Sequence, residues 1–152
     1  MKIISGGQTG ADRGALDAAL DCGFEVGGWV PRGRLAEDGR IADRYSGMIE
    51  TESPDPGERT RRNVRDAAVT VIVSHGPLRG GSQLALDEAT RLRKPVLHLD
   101  LDVLGPDAAV IRLREWLEIE RPAVLNVAGP RASEDAAIYL AVKTLMCEVL
   151  EP

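Results

Sequence analysis

Short apolar strand signals alternate with capped helical stretches from one end of this chain to the other. That alternation calls for a parallel sheet with helices on both faces, because right-handed crossovers lay each helix back against the sheet. A strand is expected at residues 2–5, then a helix with Thr9 as its side-chain cap, Asp12 at its third position and Gly23 past its end. A second strand follows at 25–30. Residues 31–47 hold Pro31, Gly33, Gly39 and Gly47 among charges and read as an irregular surface excursion. After a brief strand at 48–51, Asp55, Pro56 and Glu58 occupy the N-cap, first and third positions of a helix reaching Ala67. Residues 69–74 are β-branched and nearly all apolar, which predicts a central strand buried on both faces. Ser82 is expected to cap a helix to Arg93, followed by a strand at 96–99 and a helix opened by Pro106. The last strand is expected at 123–127 and the last helix from Ser133, Glu134 and Asp135. The expected architecture is one doubly wound α/β domain over residues 1–152.

In such sheets ligands settle beyond the carboxyl ends of the strands, so the strand-to-helix loops carry the chemistry. Three are glycine-rich: Gly6-Gly7-Gln8-Thr9-Gly10, then Gly76 to Ser82, and Ala128-Gly129-Pro130-Arg131. Glycines let backbone amides approach a ligand and a helix N-terminus adds partial positive charge, so each loop can hold a phosphate or be a tight turn alone. The spacing is neither G-x-G-x-x-G nor a P-loop, and Val30, Pro31, Arg32 and Arg34 stand where a dinucleotide site would place an acid. Arg13, Arg32, Arg34, Arg79 and Arg131 fall at the same edge and can form a positive basin, or can pair with Glu37, Asp38 and Asp43.

Whole-chain properties exclude several classes. Nineteen basic against twenty-four acidic residues leave a charge of −5, which gives no overall attraction for a nucleic-acid backbone. No stretch approaches the roughly 20 apolar residues of a membrane span, and only Ile3 and Ile4 precede Ser5, short of a signal-peptide core, so a cytoplasmic location is expected. Cys22 and Cys147 read as reduced thiols, and His75 and His98 lack partners at metal-ligand spacing. No protein-ligated metal is expected. Asn63 and Asp66 share a helix face and can serve the crevice or merely brace the next strand. Self-association into a homo-oligomer is expected on general grounds.

The blocks SGGQTGAD (5–12), GWVPRG (28–33), AEDG (36–39), Arg59-Thr60, NVRD (63–66), GGS (80–82) and LNVAGPR (125–131) together resemble the family of proposed molybdenum cofactor carriers. The resemblance runs from the first strand to the last helix. It implies a Rossmann-like protein related to the LOG and DNA-processing protein A superfamily, carrying molybdenum cofactor as its anionic small-molecule ligand. Molybdoenzymes or cofactor-insertion proteins would then be its partners. The binding residues it implies are Gly6, Gly7, Gln8, Thr9, Gly10, Arg79, Gly80, Gly81 and Ser82, with Asn126, Gly129 and Arg131 from the third loop. No catalytic residue follows from it. The alternative is a LOG-like nucleoside monophosphate phosphoribohydrolase using Asp87 or Glu88 as acid. The block at 80–88 matches the P-G-G-x-G-T-x-x-E pattern of those enzymes only in part.

Overall fold

The computed structural model describes residues 1–152. Six parallel strands form one sheet: β1 (Lys2–Ile4), β2 (Val26–Val30), β5 (Met48–Glu50), β6 (Val69–Ser74), β7 (Val96–Asp100) and β8 (Val124–Ala128), in the order β5-β2-β1-β8-β6-β7. The connecting helices are α1 (Ala11–Asp21), α2 (Pro56–Asp66), α3 (Gly80–Arg91), α4 (Leu101–Leu104), α5 (Pro106–Glu120) and α6 (Ile138–Leu150). The last strand, β8, lies between β1 and β6, paired with both. The chain leaves β1 toward one edge of the sheet and β6 toward the other, so the carboxyl ends of β1, β8 and β6 surround the point where the winding reverses.

The buried strand at 69–74 is every residue inaccessible, as its composition requires, but it is one place from the sheet edge and not central. The two middle positions belong to β1 and β8. Helices α1 and α6 cover one face over a core that includes Ile3, Leu16, Val71, Leu125, Val142 and Met146. On the other face Val64 of α2 packs with Ala85 and Ala89 of α3 over Ile72. This packing also sets Cys147 near Cys22, both free thiols. Burial, together with that neighbour, pushes the Cys147 thiol above its ordinary value.

Three expected starts are displaced. The N-cap of α1 is Gly10, not Thr9, and no side chain caps it. Arg79, not Ser82, is the N-cap of α3, so Ser82 is its third residue. Helix α6 begins only at Ile138, because Glu134 N–H turns back to the Arg131 carbonyl (3.0 Å) and the Asp135 carboxylate accepts from Ala137 N–H (2.9 Å). Asp55 does cap α2, accepting from Gly57 N–H at 3.0 Å.

The excursion at 31–47 is not wholly irregular. It contains an antiparallel hairpin of β3 (Leu35–Ala36) and β4 (Gly39–Arg40), with Glu37 and Asp38 at its tip. Ile41, fully buried, and Tyr45 anchor the segment to the core. Asp17 accepts from Tyr45 (2.7 Å), Arg44 (2.7 Å) and Tyr139 (2.5 Å), tying the excursion to α1 and α6.

Candidate functional site

All three glycine loops emerge at the carboxyl ends of adjacent strands, but their donors have different fates. At the first loop the α1 N-terminus is closed by protein: Ala11 N–H donates to the Pro130 carbonyl at 3.1 Å. Gly10 permits this approach, since a Cβ there would stand 2.5 Å from Pro130 O, and its φ of +81° lies in the left-handed region. The Thr9 hydroxyl donates to the Glu37 carboxylate and accepts from Ala132 N–H (3.1 Å). Glu37 also accepts from Ser133 N–H (3.0 Å) and its hydroxyl (2.5 Å), with Arg131 at 3.7 Å. A carboxylate of the chain thus occupies the donors between the first and third loops. These bonds, first Ser133 and then Thr9, hold Glu37 below the ordinary glutamate range.

The second loop is open. The first amides of a helix have no internal partner, and α3 has no side-chain cap over Gly80, Gly81 and Ser82. A Cβ at Gly81 would meet nothing within 4 Å, so this turn of backbone faces free space. The space is a cleft of about 310 Å³ bounded by Gln8, Gly80, Gly81, Ser82, Gly129 and Arg131 from the expected set. A second cleft of about 300 Å³, lined by Arg79 and Pro130 among others, adjoins it at Ser82 and Glu134, which line both.

Sequence reasoning left out the most deeply set charges of the first cleft. Arg59 of α2 (7% exposed) and Asp12 of α1 (9% exposed) both line the first cleft. Arg59 donates to Gly6 O (2.7 Å) and Pro56 O (3.2 Å), and Asp12 accepts from Gln8 N–H (3.2 Å). Burial pulls the Arg59 guanidinium below its ordinary value and pushes the Asp12 carboxyl above its own, each against the opposing pull of the other's charge. Asp55 and Glu134 also line this cleft, so it carries both signs. The block around Arg59-Thr60 was the available signal for Arg59; nothing local separated it from the other arginines of α2.

The remaining expected residues are elsewhere. Gly6 and Asn126 line a small recess of about 20 Å³ beneath Arg59, where Asn126 donates to Thr70 (3.3 Å). Gly7 packs on Ile41 and Val30, and Gln8 also accepts from Thr9 N–H (3.0 Å) and Glu37 N–H (2.9 Å). The arginine basin is only partly assembled. Arg13 forks the Asp38 carboxylate, Arg34 donates to the carbonyls of Ile41, Ala42 and Tyr45, and Arg32 lines neither cleft. Arg79 and Arg131 do reach the clefts. Asp87 accepts from Gln83 (2.9 Å) and Glu88 from Arg91 (2.6 Å), and neither lines either of these two clefts. Asn63 bonds both the N–H (2.7 Å) and carbonyl (3.0 Å) of Trp29, and Asp66 accepts from its indole (2.6 Å), which braces β2. No three His, Cys, Asp or Glu side chains gather as a metal site, and no helix is long and apolar enough to cross a membrane.

Fold and site together define a Rossmann-like α/β protein with its cleft at the carboxyl edge of a parallel sheet. The chain belongs to the circularly permuted YpsA family of the SLOG group, whose model matches residues 3–150. In this chain the last strand pairs beside the first. A similar solved structure is the "Putative molybdenum carrier protein" of Syntrophus aciditrophicus SB, 47% identical, covering 99% of this chain and 94% of that one with a TM-score of 0.96. No curated protein matches the chain.

Proposed function

We propose that this protein is a molybdenum cofactor carrier that holds a phosphorylated pterin, or a nucleotide-like anion, across the α3 N-terminus. The observation that carries this reading is the uncapped start of α3 opening on a cleft that Arg59 and Arg131 also line. Amides at a helix start favour an oxyanion, and the two guanidiniums add charge in a partly desolvated setting. The mixed lining also suits the rest of such a ligand. A pterin or purine ring offers N–H donors, and Asp12, Asp55 and Glu134 supply carboxylate acceptors. The name of the similar carrier structure supports the choice of cargo.

In this reading Gly80, Gly81, Ser82, Arg79 and Arg131 hold the anionic part, while Gln8, Gly129 and Arg59 shape the neighbouring wall. Gly6, Gly7, Thr9, Gly10 and Asn126 shape and support the loops around it. The protein works in the cytoplasm as a homo-oligomer and hands its cargo to molybdoenzymes or insertion proteins. Native mass spectrometry of protein purified under reducing, anaerobic conditions tests the cargo. A retained mass matching a phosphorylated pterin is expected, and it is expected to vanish in Gly81→Asp. Release of free base from a nucleoside monophosphate at turnover rates would overturn the carrier reading.

A further inference from the structure

The second cleft contains an arrangement that anion binding does not use. His75 follows β6 and Asp135 precedes α6, yet His75 Nδ1 and Asp135 Oδ2 are 2.5 Å apart. At that distance Nδ1 and the carboxylate share a proton, which leaves Nε2 as the ring nitrogen free to meet a ligand. Nε2 has no partner within the chain, and His75 lines the cleft with Arg79 and Ser82. Ser82 stands beside it. The residue is only 5% exposed, its hydroxyl meets no partner in the chain, and it lines both clefts. No fully buried side-chain oxygen of the protein lacks a partner, so the Ser82 hydroxyl opens on the clefts and is free to bond what enters them.

We propose that the Asp135–His75 pair makes the second cleft a subsite for the part of the ligand beyond its anionic group, with His75 Nε2 hydrogen-bonding a hydroxyl or a ring nitrogen there. This rests on the anion lying at the start of α3, where the clefts meet at Ser82 and Glu134. The ligand class is thereby narrowed to a two-part molecule, an oxyanion joined to a hydrogen-bonding group, in preference to a free oxyanion. Asp135 is a positioning residue: it orients the ring through Nδ1.

The test compares inorganic phosphate with adenosine 5′-monophosphate, reading the amide resonances of Gly80 and Gly81 and the ring nitrogen resonances of His75. Phosphate is expected to move the amides alone. The nucleotide is expected to move the amides and Nε2 together and to bind at least tenfold tighter. His75→Phe should remove about that tenfold advantage and leave phosphate affinity unchanged. Asp135→Asn should act in the same direction, with the ring nitrogen resonances of His75 shifted in the free protein. An indifferent His75 ring in nucleotide-bound protein, or a nucleotide that binds no tighter than phosphate, overturns the subsite while leaving the anion site standing. Amides of Gly80 and Gly81 that ignore both probes overturn the carrier reading as well.

Discussion

The first and second glycine loops begin alike, each following a strand and opening a helix, and end in opposite states. At the first, Pro130 O fills the start of α1 and the Glu37 carboxylate takes the donors of Thr9 and Ser133. At the second, no side chain caps the start of α3. Glycine therefore serves two purposes in one sheet edge. Gly10 lets protein approach protein, and Gly81 keeps protein away. A glycine-rich turn reports closeness to something, and only the neighbours decide whether that something is backbone or ligand.

The sharpest way to break this contrast is to add one methyl group to each loop. Gly10→Ala would drive a Cβ against Pro130 O and Ala132 N at a strained φ, and is expected to cost about 3 kcal/mol in urea unfolding. Gly81→Ala meets open space and is expected to leave stability within about 1 kcal/mol of the parent. Equal losses would mean that the two loops are packed alike.

A second change gives the open loop the closed loop's device. Gly81→Asp places a carboxylate in the first turn of α3, where it can take the free amides as Glu37 takes those of the other loops. Stability should hold or rise by up to about 1 kcal/mol. Affinity for a phosphate-bearing probe should fall at least a hundredfold, roughly 2.7 kcal/mol by calorimetry. Retained affinity would place the anion elsewhere.

The smallest effect runs the other way. Glu37→Ala should cost about 1 kcal/mol at neutral pH, since it removes charge-assisted bonds at a partly solvated site. Glu37 is held below its ordinary value of 4.5, so its stabilisation is complete above about that pH and is lost as acid carries the solution down through the lower folded value. The parent and variant unfolding curves should therefore converge below pH 4.5. The donors freed on Thr9 and Ser133 should then accept weak sulfate binding, visible as amide shifts there. Curves that keep a constant gap through acid would show that Glu37 contributes by packing alone.

Much of the fold was legible because its signals are local or periodic. The Asp55-Pro56 start of α2 was read residue by residue from capping chemistry, and the β-branched run of β6 announced its burial. The position of β6 was not legible, because the insertion of β8 between β1 and β6 is a choice among sheet orders that leaves every strand pattern unchanged. Thr9 misled as a cap for a related reason. A hydroxyl near a helix start can bond its own backbone or a distant partner, and Glu37 is 28 residues from Thr9.

What the sequence by itself determined is the set of elements: strands and helices in alternation, three glycine loops at one edge, and a chain whose blocks match a carrier family. What only the tertiary structure decided is which donors remain free. Helix α2 presents Arg59, Arg61, Arg62 and Arg65 within two turns, and any of them satisfies the same local rules. Packing against Gly6 and Pro56 turns Arg59 alone into the cleft, while Arg62 pairs with Glu58 and lies over the Trp29 ring, and Arg65 pairs with Asp66. Side-chain chemistry is written in the residue type, but its availability depends on contacts between segments far apart in the chain, and those exist only once the sheet has closed around its core.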